Sequence, residues 1–198
     1  MLISIYDTEV KKSPEEVGWK NYGEMGMSVG CVITRDYGFS GDSLIFTTET
    51  RLPFYDVEEL AQELNKTDLN VGFNNINFDQ NLICHFLDND AEFIIHNFDM
   101  MQSIDNETGY RYSTNLDDLA HLTIGRGKSG DGAHAPELYQ QGKIEELTEY
   151  CFNDTEITAD VFDFGLRYGY VNIYPGKNHK AFGDMVWRLN VNWNKMFF

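Results

Sequence analysis

Four acidic residues stand in three widely separated stretches of this chain: Asp7 and Glu9 in IYDTEV, Asp79 in VGFNNINFD, and Asp154 in YCFNDTE. Carboxylates are hard oxygen donors, and a pair of divalent cations about 3.5 to 4 Å apart needs several of them converging on one point. Segments so far apart in sequence can meet that need only if the fold brings their ends together. The chain is therefore expected to place the end of an early strand, a turn after a middle strand and a late helix side by side.

The distribution of apolar residues gives an α/β reading. MLISIY, MSVGCVIT and SLIFTT are rich in β-branched and aromatic residues and are separated by Gly, Asp and Ser, which predicts three short, consecutive, antiparallel strands. DVEELAQELNKT then carries Val57, Leu60, Ala61 and Leu64 at helical spacing, LNVGF reads as a buried strand, and DQNLICHFLDND as a second helix. A further short strand is expected within residues 93–98. LDDLAHLTIG and the long segment IEELTEYCFNDTEITADVFDFGLRYG are expected helices, the latter stopped by glycine suited to a C-cap. GRGKSGDGAHAP reads as a flexible loop, and packing of a last strand through RLNVNW is favoured near the end.

The 198 residues, 42% hydrophobic and 14% aromatic, are enough for one substantial core. No apolar run approaches the roughly 20 residues of a membrane span, and the first residues have neither a basic head nor a small-residue cleavage site, so a soluble, cytoplasmic protein with no membrane partner is expected. Cys31, Cys84 and Cys151 are widely spaced and form no CxxC pair, which predicts buried reduced thiols.

Charge is uneven. The net charge of −17 opposes extended contact with phosphates, yet residues 166–198 carry Arg167, Lys177, Lys180, Arg188 and Lys195 against Asp184 alone. Phosphate contact is expected there, so the chain is divided into a main domain, 1–169, and a basic, aromatic-rich extension, 170–198, packing on it.

Each motif has a physical rationale beside a plain structural one. Asp7 and Glu9 are two apart on a strand, so both side chains leave the same face, as joint metal ligation requires and as a solvated strand end also allows. Asp79 opens a helix after a polar turn anchored by Phe78; a cap would use the same residue, and Asn74 in that turn offers polar contact to a substrate. Tyr150 and Asp154 are spaced i and i+4 on one helix face. A tyrosine with a pKa near 10 is a poor base, so its expected role is to orient a water already acidified by a metal.

Together, YDTEV, GFNNINFD and YCFNDTEIT resemble the three motifs of the DEDD 3′-to-5′ exonucleases of the ribonuclease H-like superfamily, in the tyrosine variant. GFNNINFD is similar to the second exonuclease motif of family B DNA polymerase proofreading domains, and the stretch NLDDLAHLTIGRGKSG to that of stand-alone exonuclease-like domains. The resemblance spans about residues 1–169. It implies a mixed five-stranded sheet in order 3-2-1-4-5 with helices on both faces, and two Mg²⁺ or Mn²⁺ ions held by Asp7, Glu9, Asp79 and Asp154, with Asp7 bridging them. It also implies release of nucleoside monophosphates from the 3′ end of a single strand, with Tyr150 aligning the water.

DNA is favoured over RNA on the same resemblance. An RNA-processing exonuclease of the same fold, or a binding module without turnover, remains the alternative. Arg126 and Lys128 in the Gly-rich loop, with Lys177 and Lys180, are candidate phosphate contacts, and a helicase or polymerase is an expected partner to deliver the strand. Asp99, Asp117 and Asp118 read as caps or surface residues, and His121 and His134 lack ligand spacing.

Overall fold

A computed structural model describes residues 1–41, 43–87, 96–109, 114–127, 134–174 and 185–197. Three strands open the fold: β1 (Leu2–Val10), β2 (Met27–Ser40) and β3 (Ser43–Phe54), with two single-turn helices, α1 (Pro14–Val17) and α2 (Tyr22–Met25), between the first two. β1 pairs antiparallel with β2, and β2 with β3. The hairpin extends well past MSVGCVIT and SLIFTT, because pairing resumes after a register shift at Arg35 and Tyr37 and runs to Ser40 opposite Ser43. That outer part carries exposed Phe39 and Ile45, so burial does not mark it in the sequence.

The chain then passes through α3 (Val57–Leu64), β4 (Leu69–Gly72), α4 (Asp79–Phe86), β5 (Asn97–Asp99), α5 (Met100–Thr108), α6 (Leu116–Ile124), α7 (His134–Gln140) and α8 (Ile144–Tyr168). Parallel pairing of β4 to β1 and of β5 to β4 completes a mixed sheet in the order β3-β2-β1-β4-β5. Of the strand expected within 93–98, β5 covers the end, and residues 93–95 lie outside the described residues.

Alternation along β1 divides the core. Ile3 and Ile5 join Ile157 and Phe162 of α8 on one face, and Tyr6 and Val10 join Leu60, Leu64 and Leu82 of α3 and α4 on the other. Ion pairs bind α8 across the sheet. Arg35 on β2, almost fully buried, donates to Glu49 on β3 and Asp163 on α8, each at 2.8 Å, while the Tyr37 hydroxyl donates to Asp163 at 2.6 Å. Arg51 adds a second tie from β3 to Glu156.

α8 ends at Gly169, whose φ of 71° is the left-handed C-cap conformation. Beyond it, β6 (Tyr170–Ile173) and β7 (Trp187–Asn190) pair antiparallel, and a 3₁₀ helix (Trp193–Phe197) follows. The expected strand through RLNVNW is thus shorter, and Trp193 belongs to the 3₁₀ turn. Its ring is buried, stacked 5.9 Å from Phe162, with its Nε1 donating to Ser103 at 2.9 Å. Val171, Ile173 and Val191 enter the same cluster as Ile3 and Ile5, so the last segment closes the main core. Among the described residues no helix is long and apolar enough to cross a membrane.

Candidate metal centre

β4 pairs with β1 only from Ile3 to Ile5, and past that point the two strands separate. The crevice lies at their carboxyl ends, where β1 has an antiparallel neighbour on one side and a parallel one on the other. In open α/β sheets this is where ligands bind. Asp7 and Glu9 lie on β1 just beyond the separation, and α8 packs against the same strand. Asp7, Glu9 and Asp154 each offer a carboxylate oxygen, and these oxygens all lie within 4.8 Å of one another. Glu9 and Asp154 are buried, and Asp7 is half-buried. Three hard oxygen donors drawn from two elements could hold a divalent metal ion.

Asp79 is not among these three acids; the structure holds it beside β1 through Thr8. The N–H of Thr8, left without a strand partner where β4 departs, donates to Asp79 Oδ1 at 2.9 Å, and the Thr8 hydroxyl donates to the same oxygen at 2.5 Å. The acid is thereby latched to the residue between Asp7 and Glu9. It is not the helix cap, since Phe78 holds that position and Asp79 is the first helical residue. Burial drives its carboxyl pKa up to about 6, with the Asp99 carboxylate adding to the rise and the Thr8 hydrogen bonds opposing it. Tyr6, beneath, is pushed well above the ordinary tyrosine value by burial and by Asp79, and stays a neutral phenol.

The turn before Asp79 is built for this placement. Gly72 leaves room for Asn75 to fold back on β4, since a Cβ there would stand 2.6 Å from the Asn75 side chain. Asn74 adopts φ 64°, a left-handed conformation that Asn tolerates better than most residues. Asp99 caps α5 through the N–H groups of Met101 and Gln102 and also accepts from the N–H of Asn74 at 2.9 Å. The capping role expected for Asp99 is present, and its grip on the turn is an addition that no local pattern signals. Phe78 packs against the cluster around Leu82, as an anchor for that turn.

Tyr150 lies one turn before Asp154 on α8 and is buried beside the sheet. His134, at the start of α7, sets its ring edge against Tyr150 at 6.3 Å between centroids. Cys151 lies behind the carboxylates, its Sγ donating to the Asp7 carbonyl at 3.5 Å. Burial first, then Cys31, Asp7 and Glu9, push its thiol well above the ordinary value, so it remains an unreactive packing group. Neither Thr8 nor His134 was singled out as a site residue from the sequence, because a threonine in a strand and a histidine in a loop carry no chemical signature.

The candidate phosphate contacts are arranged less uniformly. Arg126 turns onto α8, paired with Asp160 and, at 3.6 Å, with Glu156, so its charge is engaged within the fold. Lys128, Lys177 and Lys180 lie outside the described residues. Arg188 sits over the ring of Tyr170 at 3.9 Å.

No protein-family model and no curated protein matches the chain. Among solved structures it resembles the family B DNA polymerase of the hyperthermophilic archaeon Pyrobaculum calidifontis, with a TM-score of 0.60 and 13% sequence identity. The match covers 85% of this chain and 26% of the polymerase, so the chain spans about a quarter of that protein. The strand order and this likeness define a ribonuclease H-like α/β fold.

Proposed function

We propose that the chain is a divalent-metal-dependent 3′-to-5′ exonuclease of the tyrosine-variant DEDD type, acting on single-stranded nucleic acid with DNA preferred and releasing nucleoside 5′-monophosphates. The observation that carries this reading is the meeting of Asp7, Glu9 and Asp154 within 4.8 Å at the opening between β1 and β4. Asp79, latched to Thr8, stands at the same opening. The motif resemblance to polymerase proofreading segments and the fold likeness to a family B polymerase support it further.

Asp7, Glu9 and Asp154 would hold Mg²⁺ or Mn²⁺, with Asp79 completing the set. When bound, such ions acidify a coordinated water and stabilise charge on a phosphodiester. The protein's own part is to position groups: the rigid sheet fixes Asp7 and Glu9, α8 fixes Asp154, and the Tyr150 hydroxyl orients the attacking water by accepting or donating a hydrogen bond. Asp79, kept close to neutrality in pKa by burial, would give up its proton when cations enter.

Incubation of 3′- and 5′-labelled DNA and RNA oligomers with Mg²⁺, Mn²⁺ or chelator tests the reading directly. Stepwise shortening of the 5′-labelled strand, early release of mononucleotide from the 3′-labelled one and no reaction in chelator are expected. Asp154→Asn should abolish turnover, and Tyr150→Phe should lower kcat by roughly 10- to 1000-fold while metal affinity is kept. Inert DNA and RNA under all metal conditions would leave a binding module, and a wild-type rate in Tyr150→Phe would make the phenol structural.

A further inference from the structure

Lys11 directly follows β1, two residues past Glu9. Its ammonium lies 5.6 Å from the ring centroid of Tyr139 on α7, a helix that packs against β1 and α8, so it stands on the carboxylate side of the sheet. Its stem is held as well. Gly26 has φ +61°, and a Cβ there would come to 3.3 Å from Lys11 Cδ, so the glycine leaves a shelf for the chain of methylenes. The backbone N–H of Lys11 donates to the Met25 and Gly26 carbonyls at 3.2 and 2.9 Å.

This cation differs from most others in the acidic chain. Arg35, Arg51, Arg126 and Lys12 are each engaged with carboxylates, whereas among the described residues Lys11 has none within ion-pair distance. Lys11 also borders a cavity of about 450 Å³, a size suited to small ligands, with Tyr55 and Phe86 half-exposed on its wall. Three acids share that wall: Glu24, paired with Lys12 at 3.3 Å, Asp56, which caps α3, and Glu58. The extension after Gly169, by contrast, starts about 22 Å along α8 from Asp154, at about 1.5 Å per residue.

We infer that Lys11 binds a backbone phosphate of a single-stranded nucleic acid whose end lies at the carboxylates, the strand continuing into the cavity beside Tyr55 and Phe86. The inference rests on the proposed nuclease reading for the position of the strand end. A preformed ammonium without an ion-pair partner among the described residues attracts phosphate in a chain of net charge −17.

The test is fluorescence anisotropy of labelled single-stranded DNA and RNA with the full chain in Ca²⁺, over a range of salt, beside the cleavage assay in Mg²⁺. Lys11→Met should weaken binding about tenfold, the worth of one hydrogen bond to a charged group. It should also reduce the slope of log affinity against log salt by about 0.7, the value for one phosphate contact on a single strand. Lys11→Arg should keep the slope and Lys11→Glu should weaken binding further. A wild-type slope in Lys11→Met, with a wild-type chain that cleaves, overturns the inference and leaves the nuclease reading intact. A Lys11-dependent slope in a chain that cleaves nothing supports the phosphate site and overturns the nuclease reading, and absence of binding by the wild type overturns the inference.

Discussion

Asp79 carries a carboxyl whose pKa rises from 3.8 to about 6, because burial removes it from water faster than the Thr8 hydrogen bonds compensate. In the metal-free protein the folded state then holds a proton that the unfolded state has released. The stability linked to this group is fully present below about pH 4 and is lost as the pH climbs through about 6. Asp79→Asn keeps an oxygen for Thr8 and carries no charge. Chemical denaturation in chelator should show it more stable than the wild type by on the order of 2 to 3 kcal/mol above pH 7, with the two curves converging near pH 4. Parallel curves would mean that the carboxyl titrates in its ordinary range inside the fold.

At the scale of elements, α8 carries most of the organisation. One end supplies Tyr150 and Asp154, its middle is tied to β2 and β3 through Asp163 and Glu156, and its last turns receive Trp193. Gly165 is where the Trp193 ring lies flush against the helix, and a Cβ there would collide with the indole. In an exposed helix, alanine in place of glycine adds about 1 kcal/mol of stability. At this position the overpacking cost, typically about 1 to 3 kcal/mol, opposes and exceeds that gain, so Gly165→Ala should lower the thermal midpoint. A raised midpoint would show that Trp193 moves aside without loss. Helix propensity and helix packing disagree here, and the contact from outside the helix decides.

For the whole molecule, the balance of 32 acidic against 15 basic residues sets the terms of both stability and binding. Part of the acid charge gathers at the carboxyl end of β1, where like charges repel unless a cation enters, while several arginines are spent within the fold. Divalent ions should therefore stabilise the protein as ligands of the native state. Mn²⁺ at ten times its Kd should raise the unfolding free energy by about 1.4 kcal/mol, and Asp7→Ala or Asp154→Ala should remove the effect in calorimetry. Equal stabilisation of the variants would place the ion elsewhere. The same charge balance argues for a short footprint on a strand and for distributive digestion, with low salt favouring binding.

Local periodicities made much of this legible in the sequence. Period two put Asp7 and Glu9 on one face of β1, the spacing of four put Tyr150 and Asp154 on one face of α8, and the succession of apolar patterns gave the elements of the α/β sheet, because each depends on geometry repeated within a single element. The tertiary structure alone decided what passes between elements. Asp79 is held by Thr8 because β4 leaves β1 at Ile5, and Asp99 grips the turn before α4 from the end of β5. Arg126 is drawn onto acids on α8, and Lys11 is set over Tyr139 by the packing of α7. Trp193 lands on Gly165, about three turns along α8 from Asp154. No periodicity links the partners in any of these contacts, so their geometry exists only once the chain has folded.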